Sequence, residues 1–528
     1  MRLLKRYSLY ILGILVLLFW SSCREDFVFT PSTGELVFER DTVYLDTVFT
    51  NIGSSTYNLK VYNRSNSDIV IPSIRLEEGT QSYYRLNVDG STGLDGDQEG
   101  KIFENVELLA NDSLFIFIET TVNIQDLSQS DTQFLYTDRI LFDAGNNQQD
   151  VDLVTLVKDA VFIFPARDPE TGIVETLKFD TNGDGNDEET NIQGRFLSDA
   201  ELVFTNEKPY VIYGYAAVAE NKTLEMQPGA RVHFHRDSGI LVTSGGSLHI
   251  NGELSDDSEA LEKEVILQGD RLEPFFEDVP GQWGTIWLFN ESINNQINYA
   301  TIKNATAALL VEGNDQDLND KLVITNSQIY NSSAFGILGR ATSISAENLI
   351  INSSGQSSFA GIVGGRYNLT HCTIANYWSN SFREFPSLLF NDFIQVEDAS
   401  IVTNPLLARI NNCIVYGNDN PEFILSQAGD DFDFKFSHSL LRFNNANLEG
   451  TPNYMFDDPE TYDNNSFNLD PDFENPFANI LRIGEASGAN GIGSTEFSNQ
   501  VPFDISNTQR STDPDAGAYE SVDLEGDN

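Results

Sequence analysis

The stretch LTHCTIAN (residues 369–376) returns forty-one residues later as INNCIVYG (410–417). The chain has three cysteines, and two of them, Cys372 and Cys413, hold the same place in these phrases. Each precedes an apolar reference residue, Ile374 or Val415, by two positions. The same reference position continues through Ile302, Ile329, Ile350 and Leu441. A second short apolar run follows in turn: ALLV from 308, FGIL from 335, AGIV from 360, SLLF from 387 and EFIL from 422. Side chains two apart on a strand share a face. Cys372 and Cys413 therefore join Ala300, Ser327, Asn348 and Ser439 in one inward stack, and steps this regular mark a solenoid of short strands. Neighbours in that stack stand about 4.8 Å apart at Cα. That spacing permits a disulfide, but parallel Cβ vectors give it a poor dihedral, so the expectation is two buried thiols.

Upstream, LEMQPGARVHFHRDSGILVTSGGSLHINGEL carries the same rhythm, with strands at Leu224–Met226, Val232–His235, Ile240–Thr243 and Leu248–Ile250. Two positions after the reference residues stand Asn304, Asn331, Asn352 and Asn376, read as an asparagine ladder at a bend. Near the end come NLDPDFEN, SGANGIGS and DPDAGAYES. Together these features resemble right-handed parallel β-helix proteins, over residues 216–528. The resemblance implies that Gly517-Ala518-Tyr519-Glu520 belongs to a segment capping the last coil. Residues 160–215 read as an acidic connector.

Residues 23–159 show a different pattern, with short alternating strands and no helical period. DTVYLDTVF sets Val43, Leu45 and Thr47 against Tyr44, Asp46 and Val48; LKVYNRSNSDIVIPSIRL reads as strand, turn, strand. This is the pattern of a β-sandwich. It resembles the immunoglobulin-like modules of the abnormal-spindle and hydin type. The expected fold class is therefore all-β, a sandwich followed by a parallel β-helix.

MRLLKR, then the apolar YSLYILGILVLLFW, then SSC, read as a signal peptide over residues 1–22 ending at Cys23. The segment resembles bacterial lipoprotein leaders, which implies lipid on Cys23. Arg24-Glu25-Asp26 is similar to the signal that exports lipoproteins of the Bacteroidetes to the cell surface. The implied address is the outer membrane, facing the exterior.

The formal net charge is -49, from 80 acidic and 31 basic residues. That balance argues against nucleic-acid partners and disfavours polyanions generally, unless a cation bridges them.

Several residues offer chemistry. Asp180, Asn182, Asp184, Asn186 and Glu188 fall in DTNGDGNDEETN, whose alternate oxygens suit Ca2+, although Asn191 stands where an EF-hand needs Glu. The alternative is a solvated acidic hairpin tip. With Ile286 and Leu288 facing the core, Trp283, Trp287 and Phe289 would face out, and Trp378 stands at another bend. Exposed rings stack on sugars; packing beneath loops is the alternative. His233 and His235 alternate on one outer face. No catalytic residues form a recognisable signature: Asp430-Asp431 would diverge if in a strand, and His371, Arg383, Lys435 and Arg442 make no motif. The expected function is a non-catalytic binding or scaffold module for polysaccharide or surface proteins. The rival is a polysaccharide lyase or glycoside hydrolase.

Overall fold

The structure, a computed structural model, describes residues 28–94, 96–128, 132–257, 260–313, 319–396 and 400–524. The expected leader and Cys23 lie outside the described residues. Two compact units divide the chain, one ending at Asp159 and the other beginning at Ala160. Among the described residues no helix is long and apolar enough to cross a membrane, which says nothing of strands.

The first unit is a sandwich of two sheets. One runs Leu36–Phe38, Tyr57–Asn63, Ser113–Thr120, Tyr84–Val88. The other runs Thr30–Pro31, Ile69–Leu76, Gln133–Phe142, Gln149–Lys158, Thr42–Phe49, with Ile102–Leu108 also on Ile69–Leu76. Alternation buries Leu59, Val61, Leu114, Ile116 and Ile118 against Ile71, Ile140 and Leu153. The expected alternation of Thr42–Phe49 breaks halfway. Asp46 takes a φ of 36° and the ladder shifts register there, so Val48, not Thr47, returns to the core.

The second unit is a parallel β-helix with three strands per coil, one more than the two aligned in its later coils. The first wall includes Gly239–Val242, Ile286–Leu288, Leu388–Asn391 and Phe423–Ser426; the second includes Ser247–Asn251, Leu322–Thr325, Leu406–Asn411 and Phe432–Ser437. These two walls form one 18-stranded sheet, because Phe335–Glu347 and Phe359–Thr370 run through both. The third wall is an 11-stranded sheet from Val161–Ile163 to Ser466–Phe467. Residues 160–215 are therefore not a connector: Val161–Ile163, Tyr210–Ile212 and Glu188–Phe196 already pair into the solenoid's sheets.

In the third wall the ladder runs Ile302, Ile329, Ile351, Ile374, Val415, Leu441. The reference residue is Ile351, not Ile350, and the inward neighbour of the cysteines is Leu349, not Asn348. Ile350 instead points outward. With Ala375, Ile414 and Leu440 it makes the outer side of this wall apolar, and the C-terminal segment packs there through Leu481, Ile483, Ala516 and Ala518. The segment thus lies along the wall instead of closing the last coil. That coil is filled by Phe443, Tyr454, Phe456, Tyr462 and Phe467. Cys372 and Cys413 are buried free thiols.

The expected asparagine ladder is also displaced. Asn304 donates to the loop carbonyls of Glu277 and Val279, Asn376 to the carbonyls of Ser354 and Gln356, and Asn331 to Asp278. A true ladder occupies the corner between second and third walls, where Tyr299, Asn326, Asn348, His371, Asn412, His438 and Asn464 all have φ between 43° and 52°. Asn tolerates this left-handed conformation because its short amide bonds locally. Asn348 donates to Asn326 (2.9 Å), and Asn412 donates to His371 Nε2 (2.9 Å).

Candidate functional site

Outward-facing residues of the second wall form columns across coils. One reads Ser343, Arg366, Leu407, Asp433; the next reads Ser345, Asn368, Arg409, Lys435. Their strand neighbours Ile344, Tyr367, Ala408 and Phe434 face the core, as the two-residue period requires. Arg366 pairs with Asp320 (2.9 Å), Arg409 with Asp433 (2.7 Å) and Lys435 with Asp463 (3.4 Å).

Where this face meets the corner from the first wall, a cleft of about 470 Å³ opens, lined by Arg366, Leu407, Asp430, Asp431, Phe432 and Asp433. Gly365 makes the corner possible: its φ is 121°, and a Cβ there would stand 2.4 Å from the Thr342 carbonyl oxygen. Asp430 and Asp431 precede the strand Phe432–Ser437, so strand alternation does not separate them. Both line the same cleft, which corrects the expectation of divergent carboxylates. Their turn is fixed from below. Asp392, 1% exposed, accepts from the Ala428 N–H and the Gly429 N–H, each at 2.7 Å. Carboxylates and a guanidinium beside Leu407 and Phe432 suit a ligand with hydroxyls on its edges and C–H groups on its faces.

The rings singled out in the sequence do not form a platform. Trp283 is 1% exposed and stacks on Phe234 with centroids 4.3 Å apart; its indole donates to the Lys303 carbonyl. It lies outside the strand Ile286–Leu288, in an isolated bridge to Ala305, so the alternation of Ile286 and Leu288 does not extend to it. Trp378 is buried and donates to Ser381. Trp287 and Phe289 do point away from the solenoid core, but the hairpin Thr176–Phe179 to Glu188–Phe196 covers them: Phe179 meets Phe289 edge-on at 5.2 Å. Trp287 donates to Glu312 (2.6 Å).

The acidic loop is the tip of that hairpin. Asp180 accepts from the N–H groups of Asn182, Gly183, Asp184 and Gly185, which hold its carboxyl below the usual range, the Gly185 bond foremost. Oxygens of Asp180, Asp184 and Glu188 lie within 4.8 Å of one another, a donor set suited to a hard cation. Asn182 and Asn186 turn their amides to Glu188 and Asp184.

The residues considered for a rival enzyme scatter. Arg383 is buried on Glu422. Arg442 lies over the Tyr416 ring at 4.9 Å. His371 is buried beneath the C-terminal segment, its Nε2 facing Ser498, and burial holds its imidazole well below the ordinary value, Arg510 adding to the effect. Lys435 alone stands on the cleft-bearing face. The expected pair of surface histidines divides: His235 is exposed on Asp270 (2.7 Å), whereas His233 is buried against the Gly269 carbonyl.

No protein-family model and no curated protein matches the sequence. Among solved structures, PapD-like domain 7 of human CEP192 is 12% identical, with 26% of this chain and 94% of that chain covered and a TM-score of 0.15. A family 123 glycoside hydrolase from Clostridium perfringens is 10% identical over 23% of this chain and 26% of its own, TM-score 0.15. The catalytic unit of the GH87 alpha-1,3-glucanase from Streptomyces thermodiastaticus strain HF3-3 is 12% identical over 78% of this chain and 66% of its own, TM-score 0.22.

Proposed function

We propose that the chain is a glycan-binding protein whose solenoid holds a polysaccharide in the cleft on the outer face of its second wall. The observation that carries this reading is the cleft's chemistry: Arg366, Asp430, Asp431 and Asp433 around Leu407 and Phe432, with the acidic turn locked by buried Asp392. Carboxylates and arginine fix orientation through sugar hydroxyls, and the apolar residues meet the ring faces. The test is retention of the full chain, purified in detergent, on a panel of immobilised polysaccharides. Asp430→Ala with Asp431→Ala removes retention while the circular dichroism melt is unchanged; retention equal to the parent on every polymer refutes the assignment.

The convergence of three carboxylates on one cleft favours a second reading, a glycoside hydrolase. Reducing ends accumulating over time, and abolished by the same pair of substitutions, would establish it. The lipidated Cys23 and an outer-membrane position facing the exterior complete the proposal. Cys23→Ala then yields a precursor that incorporates no labelled fatty acid, and normal incorporation would exclude the anchor.

A further inference from the structure

The first unit carries its own candidate ligand surface, on the outer face of the sheet containing Tyr57–Asn63 and Ser113–Thr120. The alternation that buries Leu114, Ile116 and Ile118 sends Phe115 and Phe117 outward, 40% and 41% exposed. Their rings are nearly parallel, 17° apart in plane and 6.3 Å between centroids. Lys60 stands opposite Phe115 and Asn58 opposite Phe117 on one side; Asn87 stands opposite Phe117 on the other. Lys60 Nζ lies 5.1 Å from the Phe115 ring and 5.3 Å from that of Tyr62, and the Arg64 guanidinium lies 4.2 Å over Tyr62.

Charge adds a second feature to this face. In a chain with 80 acidic residues and 31 basic ones, cations are expected to find carboxylates. On this sheet Glu39 is held by Arg40 (3.0 Å) and Glu119 by Arg85 (3.7 Å). Among the described residues, Lys60 and Arg64 have no carboxylate within ion-pair distance and are held only by rings.

We propose that this face binds an acidic polysaccharide containing uronate residues. Pyranose C–H faces stack on Phe115 and Phe117, the amides of Asn58 and Asn87 take hydroxyls beside the second ring, and uronate carboxylates reach Lys60 and Arg64. Asp89 follows the strand Tyr84–Val88 on the far side of Phe115 from Lys60, so the ligand carboxylates lie toward Tyr57–Asn63. The net charge of the whole chain does not prevent this. Screening over about 10 Å at 0.1 M salt confines the repulsion of distant carboxylates, and the two nearby cations decide. The inference is independent of the solenoid cleft.

The test titrates the full chain in detergent, with the cleft silenced by Asp430→Ala and Asp431→Ala, against polygalacturonate oligomers and their neutral methyl esters. The parent binds the charged oligomer more tightly than the ester. Phe115→Ala with Phe117→Ala weakens binding of both by about tenfold or more, whereas Phe115→Tyr with Phe117→Tyr keeps it and controls for folding. Lys60→Met with Arg64→Met erases the preference for the charged oligomer and flattens its salt dependence. A parent that binds neither oligomer, or both equally, overturns the proposal. So does a ring-less or cation-less variant that behaves as the parent.

Discussion

Arg383 and Glu422 are 3% and 0% exposed, and their ion pair fastens the loop from Tyr377 to Pro386 to the solenoid. Glu422 accepts five hydrogen bonds: two from Arg383 (2.6 and 2.9 Å), two from Ser387 (2.9 and 2.7 Å) and one from the Asp419 N–H (2.8 Å). Arg383 also donates to the Phe385 carbonyl (2.7 Å) and to Asn418 (3.1 Å). Glu422→Ala deletes all five and leaves a guanidinium in the interior without a counter-charge, which costs about 3–5 kcal/mol. Replacing both partners, Arg383→Met with Glu422→Leu, removes the stranded charge. What remains is the unsatisfied Ser387 and Asp419 donors, worth about 1–3 kcal/mol. Urea unfolding followed through Trp378 fluorescence measures both, because Trp378 is 7% exposed and donates to Ser381 within the same loop. The double variant should therefore be more stable than the single. A single variant within about 1 kcal/mol of the parent, or a double variant no better than the single, refutes the reasoning.

Trp283→Ala should cost about 3–5 kcal/mol because the ring is core, whereas Trp287→Phe should cost about 1.5–3 kcal/mol, the worth of a bond to the charged Glu312; denaturant titration checks both. His371 is neutral in the fold, its value lowered from the ordinary 6.5 chiefly by burial. The unfolded state then binds the extra proton, so stability falls as pH drops below about 6.5. His371→Asn, the residue type that Asn348 and Asn412 place at the same corner, should reduce that loss while preserving neutral-pH stability; unchanged melts between pH 7 and 5 would contradict it. Calcium at one hundred times its Kd should stabilise the Asp180 hairpin by about 2.7 kcal/mol, with Asp184→Ala abolishing the effect in hydrogen exchange of Glu188–Phe196.

Repeats on the first and third walls were legible because short apolar runs recur there in the same order from coil to coil. A stretch such as ENLIIN offered two adjacent isoleucines, and period alone could not tell that Ile350 packs under the C-terminal segment while Ile351 enters the core. Face assignment failed at Trp283 and between Val43 and Val48 for a shared reason. Alternation predicts a face only while the strand is unbroken, and it is interrupted by Gly284-Thr285, which lie outside any strand, and by the Asp46 bulge. The left-handed corner escaped notice because its residues are mixed, with Tyr299 and two histidines among the asparagines.

The second wall was read only at its start, in Leu224–Met226 and Leu248–Ile250, and escaped in the later coils that carry the cleft. Its inward residues vary too widely to align: Tyr367 and Leu369, then Ala408 and Ile410, then Phe434 and Phe436. Packing explains the variation, since each coil must fill its section of the core but any wall can supply the volume. Tyr367 reaches across to the first wall, where Gly339 and Gly361 make room; a Cβ on Gly361 would come within 2.7 Å of both the Tyr367 and Phe390 rings. Where Ala408 replaces Tyr367 in the ladder, Phe390 replaces Gly361 on the first wall. Bulk passes from one wall to the other between these neighbouring coils, so resemblance along a single wall decays while the coil persists. The outward residues are free of that constraint, and Arg366, Asp430, Asp431 and Asp433 come together there from positions that no single repeat unites.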